Sequence, residues 1–195
     1  GEEEILQVLF KQVPACNYAQ TAAQVALKIK QEINLEIDQI EVINVKVPYP
    51  AAHYPGCNYP GPFHSILQAR MSIQFNVASA LLYGDFDDSH FQNFSDERLE
   101  SLANLITLEI DDALTQAYPG QQGAAIRLTN VTGQIVDANL EDVIPAGTEE
   151  VMNRSRHALA DVLGEEQGKK LLELIARMES LDNLDAVFDL LKVEN

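Results

Sequence analysis

The stretch Ala124-Ala125-Ile126-Arg127-Leu128-Thr129-Asn130-Val131-Thr132-Gly133-Gln134-Ile135-Val136-Asp137-Ala138-Asn139-Leu140 decides the fold class. Two β-forming segments, Ala124 to Thr129 and Gln134 to Leu140, flank Asn130-Val131-Thr132-Gly133, whose Asn and Gly mark a hairpin turn. Working outward, Ile40 to Val47 is rich in β-branched residues on both faces and predicts a covered strand. Thr107 to Ile110 is a short candidate. One βαβ unit fits this order, but the sequence has no βαβα rhythm and no glycine-rich phosphate loop. The expected class is α+β: a small, largely antiparallel sheet packed with helices and followed by C-terminal helices.

Helical periodicity supplies the other layer. Ala22, Val25, Ala26, Ile29 and Ile33 form an apolar stripe, with Thr21 and Gln24 as a capping box. Ser65 and Gln68 repeat that pattern before Met71 to Leu82, a segment apolar on most sides and therefore buried. Ser95-Asp96-Glu97 opens a helix with the stripe Leu99, Leu102, Ala103 and Ile106. Thr148-Glu149-Glu150 opens another, with Val151, Ala158, Leu159 and Val162 facing inward. Acidic first turns suit the positive end of the helix dipole. Glu165 to Met178 and Leu184 to Leu191 close the chain as a helical pair.

The 195 residues carry 30 acidic against 13 basic side chains, a formal net charge of −17, with 46% hydrophobic residues. That is a globular balance. The acidity excludes nucleic acid as a partner, since nothing here neutralises a run of phosphates, and disfavours anionic membranes. Ile73 to Leu82 is too short and too polar to span a bilayer, and the acidic start Gly1-Glu2-Glu3-Glu4 is unlike a signal peptide. With Cys16 and Cys57 far apart in the sequence, two reduced thiols in a cytoplasmic protein are the simpler expectation, although a disulfide is possible.

The chemistry-bearing candidates lie in irregular segments. Pro48 to Phe63 holds five prolines together with Tyr49, His53, Tyr54, Cys57 and Tyr59, and a long aromatic loop is usually functional. Lys11 to Gln20 is the other dense polar stretch. The four histidines show no metal-ligand spacing. Asp85, Asp87, Asp88, His90 and Asp96 lack the glycine and the closing glutamate of a calcium loop and read as a solvated turn. A Cys–His nucleophile would need Cys16 or Cys57 within reach of His53 or His64. Arg70 needs a carboxylate partner, a substrate anion or a route to solvent.

Phe10-Lys11-Gln12-Val13-Pro14-Ala15-Cys16-Asn17-Tyr18-Ala19-Gln20, followed by an alanine-rich helix, resembles a segment of the MmgE/PrpD family. So does Leu67-Gln68-Ala69-Arg70-Met71-Ser72-Ile73-Gln74-Phe75 running into Val77 to Gly84, and so does the tail with Gly164-Glu165-Glu166 and Leu181-Asp182-Asn183-Leu184. The three segments stand in the family's order over nearly the whole chain. The resemblance implies a protein like 2-methylcitrate dehydratase, cis-aconitate decarboxylase or iminodisuccinate epimerase, acting on a small polycarboxylate without metal or organic cofactor.

On this resemblance residues 1–145 are an α+β lid domain. Residues 146–195 are helices that would return to a helical domain carrying the principal acid–base groups, a domain this sequence does not contain. The chain is then the lid portion of a lyase or isomerase, inactive by itself. The family's lid lysine falls on Lys11, its lid tyrosine on Tyr54 with His53 as the alternative register, and a His-or-Cys position on Cys16. A family histidine is replaced by Gln20, and a usual lysine by Arg70. Lys11 and Tyr54 are the implied catalytic groups; Cys16, Gln20, His53 and Arg70 are the implied substrate-binding ones. A site for a polycarboxylate needs local cations, and Lys11, Lys28, Lys30, Lys46 and Arg70 predict a positive or neutral concave face on the N-terminal half. The competing expectation is a non-catalytic interaction module, and both readings predict a homo-oligomer.

Overall fold

In a computed structural model, which describes residues 8–32 and 36–192, the β-branched run Ile40–Val47 is strand β1. Its side chains alternate, with Ile43, Val45 and Val47 buried and Lys46 exposed. One face is therefore open, which corrects the expectation of a strand covered on both sides. The charges of Lys46 on β1 and Arg127 on the neighbouring strand make that face a solvated one, ion-paired to Asp111 and Asp137. Strands β2 (Ile106–Ile110), β3 (Ala124–Asn130) and β4 (Ile135–Leu140) complete a sheet of order β2-β1-β3-β4. β1 and β2 are parallel, whereas β1–β3 and β3–β4 are antiparallel. The registers Val45↔Ile126↔Ala138 and Ile43↔Leu128↔Val136 align the apolar rows on the covered face.

The hairpin forms where expected. Asn130 N–H donates to Gln134 O at 3.0 Å, Asn130 Oδ1 accepts from the N–H groups of Thr132 and Gln134, and Gly133 takes φ +81°. That left-handed position is the one a side chain would strain.

Helices α1 (Gln20–Glu32) and α4 (Ile73–Tyr83) pack together beside the sheet. Ala22, Ala23, Val25, Ala26 and Ile29 meet Phe75, Val77, Ala78 and Leu81 in one buried cluster. Each fully buried large side chain contributes roughly 2–3 kcal/mol. Ile33 lies outside the described residues. The expected capping box at Thr21 does not form, because a 3₁₀ turn at Asn17–Ala19 starts the helix earlier. The Thr21 hydroxyl instead donates to Gln122 O at 2.6 Å.

The segment before α4 is broken. Helix α2 (Tyr49–His53) lies inside the proline-rich stretch read as loop, because Pro50 sits in a first turn that needs no N–H there. Ser65 caps α3 (Ile66–Met71), and Ser72 ends it and caps α4 by accepting from Phe75 N–H at 2.9 Å. Asn76 clasps the break by donating to Ala69 O and Ser72 O. Helix α5 (Glu97–Asn104) is capped by Asp96 rather than Ser95, and Ile106 belongs to β2, not to the helical stripe. Helix α6 (Asp112–Ala117) is capped by Asp111.

Among the described residues, those between 11 and 145 form one compact unit, and residues 8–10 together with 146–192 form another. In the second unit α7 (Thr148–Leu163), α8 (Glu165–Ala176) and α9 (Asp185–Leu190) follow one another, and Gly168 lets α8 approach the α7 backbone at Leu159. Leu171 and Val187 are buried, but Ala158 is exposed and Val162 is 65% exposed, against the inward placement expected of both. Among the described residues no helix is long and apolar enough to cross a membrane.

Candidate functional site

The Lys11–Cys16 loop takes its shape from a buried amide. Gln20, at 0% exposure, accepts from Val13 N–H at 3.1 Å and donates to Val13 O at 2.8 Å and Ala15 O at 3.2 Å. Buried Val13 and Ala15 hold the loop down from the other side. Lys11 is exposed, and its Nζ donates to Ala15 O at 2.9 Å, so its ammonium is folded back over this loop. Cys16 N–H donates to Arg70 O at 2.9 Å, tying the loop to the end of α3.

The proline-rich segment arrives at the same place from the other direction. Tyr54 follows α2 with its N–H donating to Pro50 O, and its carbonyl accepts from Cys57 N–H. Cys57 O in turn accepts from Ile73 N–H at 2.9 Å, at the start of α4. As a result Cys16 Sγ lies 3.8 Å from Cys57 Sγ, and the Tyr18 and Tyr54 ring centroids are 5.2 Å apart. The Tyr18 hydroxyl meets that of Tyr118 at 3.1 Å. Asn17 and Gln122 exchange two hydrogen bonds, at 2.8 and 2.6 Å, which fix the Tyr118 segment against the start of α1.

Of the residues singled out from the sequence, Cys16 meets the turn that follows Tyr54 along one edge, and Lys11 lies on the loop that leads into it. Gln20 lies beneath that edge with its amide engaged inside the chain, so ligand contact is not what it provides. His53 turns away, its ring stacked on Tyr49 at 4.0 Å and its Nδ1 3.0 Å from Tyr49 O. Arg70 adjoins the edge through its carbonyl only; its guanidinium pairs with Asp88 and sits 5.4 Å from the Phe91 ring centroid. Tyr18 and Tyr118 were not assigned by sequence reasoning. Tyr18 stood inside the quoted loop, but nothing in the sequence links it to a tyrosine 100 positions away.

Two groups here titrate far from their usual range. The hydrogen bond with Tyr118, followed by burial, raises the Tyr18 phenol to about 12. Burial, followed by the neighbouring Cys16, pushes the Cys57 thiol up to about 12. The sulfur partner of each cysteine is the other cysteine. Among the described residues no histidine hydrogen-bonds to either, which removes the basis for a Cys–His nucleophile.

Elsewhere the polar clusters have structural explanations. Asp87 caps the turn at Ser89, Asp88 pairs with Arg70, Asp85 lies 3.2 Å from His90 Nε2, and Asp96 pairs with Arg98. Ser79 approaches His90 Nδ1 at 3.4 Å, yet it is buried within α4, where an electrophile has little approach. A hollow beside α5 joins Lys30 and Arg98 to Glu36, Asp38 and Glu97, an unfavourable balance for an anion. A second hollow, on the open sheet face, balances Lys46 and Arg127 with Glu109 and Asp137. Among the described residues no three His, Cys, Asp or Glu side chains are grouped to hold a metal ion.

Comparison with known proteins gives one result. A family model described as the MmgE/PrpD C-terminal domain matches residues 13–180, spanning the α+β unit and extending through α8. No curated protein matches the chain.

Proposed function

The chain belongs to the MmgE/PrpD family through its C-terminal domain, and from that premise we propose that the edge bearing Lys11, Cys16, Tyr18 and Tyr54 is one side of an active site. The reaction is a cofactor-independent elimination or isomerisation of a small polycarboxylate, of the 2-methylcitrate dehydratase kind, in the cytoplasm. The single observation that carries this reading is the convergence of the Lys11 loop and the Tyr54 turn through the Tyr18–Tyr54 and Cys16–Cys57 contacts.

The chemistry suits these groups. Removing a proton beside a carboxylate builds negative charge on that carboxylate, and a fixed cation or donor lowers the barrier. Lys11 has three N–H donors, of which Ala15 O takes one, leaving two for an incoming carboxylate. Tyr54, exposed on the rim, is the hydroxyl donor to substrate, and the Tyr18 ring beside it holds it in place. Gln20 and Arg70 are positioning residues in this reading, the first through the loop amides and the second through its carbonyl. A helical domain, to which residues 146–195 would return, supplies the opposing acid–base groups.

The test is kinetic, on the gene product that contains this chain, assayed with 2-methylcitrate, citrate and cis-aconitate. Replacing Lys11 by Met is expected to lower kcat/KM on the active substrate by about 10²–10³-fold. Replacing Tyr54 by Phe is expected to lower it by at least about 10²-fold. Unchanged rates in both variants would sink the reading and favour a purely structural edge.

A further inference from the structure

Cys16 and Cys57 are 41 residues apart, in segments that share no secondary-structure element, yet their sulfurs are in van der Waals contact at 3.8 Å. The cause lies in the backbone. Cys16 N–H donates to Arg70 O and Cys57 O accepts from Ile73 N–H, so both residues are pinned to the same break between α3 and α4. That break is itself fixed by Ser72, whose Oγ accepts from Phe75 N–H and donates to Tyr59 O at 2.6 Å. Gly56, at φ +84° with the Met71 side chain close by, turns the chain so that Cys57 points inward. A disulfide needs the sulfurs to close to about 2.05 Å, a movement of about 1.8 Å.

The two thiols differ in access: Cys16 is half-buried and Cys57 is buried. This is the arrangement of an attacking thiol backed by a resolving one. We propose that Cys16 and Cys57 form a reversible disulfide, a thiol-oxidation site whose reagent is a low-molecular-weight disulfide of the glutathione class. Cys16 thiolate attacks one sulfur of the reagent, the reagent's S–S bond breaks, and one glutathione thiolate leaves, giving a mixed disulfide on Cys16. Cys57 then loses its proton to solvent and attacks Cys16 Sγ, and the second glutathione thiolate leaves. In sum two protein thiols are oxidised to one disulfide, and one reagent disulfide is reduced to two thiols.

The bond ties the Lys11–Cys16 loop to the Tyr54–Cys57 turn. This inference concerns thiol chemistry alone and stands whether or not that edge is catalytic. Because burial holds the Cys57 thiol high, the second step depends on its ionisation. It should accelerate about tenfold per pH unit between about pH 7 and 9, as the thiolate fraction grows.

The experiment incubates the whole chain with glutathione disulfide, quenches in acid, alkylates free thiols in denaturant and maps peptides by mass. The expected result is loss of both thiols without added glutathione, a protein mass lower by two hydrogens, and a Cys16–Cys57 linked peptide that dithiothreitol reverses. Cys57→Ser and, as a second variant with a small apolar side chain, Cys57→Ala should both stop with one glutathione on Cys16. Three results would overturn the proposal. The wild type could stop at the same mixed disulfide; the linkage could join separate chains; or the bond could form only when the protein is unfolded in urea.

Discussion

Gln20 accepts from Val13 N–H and donates to the carbonyls of Val13 and Ala15, and all three residues are buried. Replacing it by Ala removes these bonds and leaves a cavity beside buried backbone groups. A loss of roughly 2–4 kcal/mol is expected, measurable by urea unfolding. Its polarity was evident in the sequence, where it stands in for a family histidine. Its burial was not, because a glutamine before an alanine-rich helix reads equally well as solvent-facing. Asp96 gives a second test at this scale. The hydrogen bond from Arg98 is the main cause holding its carboxyl at about 2, with help from the Arg98 N–H and the Tyr83 hydroxyl. A depressed carboxyl contributes stability that is present above its unfolded value near 4 and lost as the pH falls towards 2. Asp96→Asn, which keeps a capping oxygen, should therefore destabilise by about 1 kcal/mol at neutral pH once the exposed Arg98 is discounted for solvent screening. The difference should shrink from about pH 4 downward and vanish only below about pH 2, as pH-dependent unfolding curves of the two proteins can show.

Ser72 controls how the elements meet. Its hydroxyl caps α4 and also donates to Tyr59 O, joining the helix break to the proline-rich segment. Ser72→Ala should cost about 1–2 kcal/mol. Ser65→Ala, at an exposed cap with a 3.3 Å bond, should cost about 0.5 kcal/mol. Thermal denaturation of the two variants checks the order. The sequence foretold the elements whose patterns are local: β1 from its β-branched run, the β3–β4 hairpin from Asn130 and Gly133, and β2 as a short candidate, although its parallel pairing with β1 was read no further than one βαβ unit that fits the order. It missed the break at Ser72 because the residues on both sides are apolar and helix-forming, so only the tertiary bond to Tyr59 reveals the stop. It missed α2 because prolines suggest loop unless one falls in a first turn. It placed Ile106 on the α5 stripe because a helical period and the start of a strand coincide there.

At the scale of the whole molecule, stability is uneven. Between Ile73 and Leu81 every residue of α4 is buried, whereas α7 buries none fully and Phe188 in α9 is 59% exposed. Amide exchange on the chain alone should accordingly be slowest in α4 and β1 and much faster across residues 148–190. The net charge of −17 sharpens the functional question. Neither hollow collects an excess of cations, and the cation available on the proposed edge is Lys11. Lys11 and Tyr54 were named through the family resemblance, but the Tyr18–Tyr118 pair and the thiol contact arise from long-range packing that no local spacing encodes. The most direct test compares Lys11→Met with Lys46→Met, a lysine ion-paired to Asp111 on the open sheet face, in the gene product that contains this chain. The account predicts that kcat/KM on the polycarboxylate substrate falls about 10²–10³-fold for Lys11→Met and stays within about twofold for Lys46→Met. Equal activities in the two variants would contradict it.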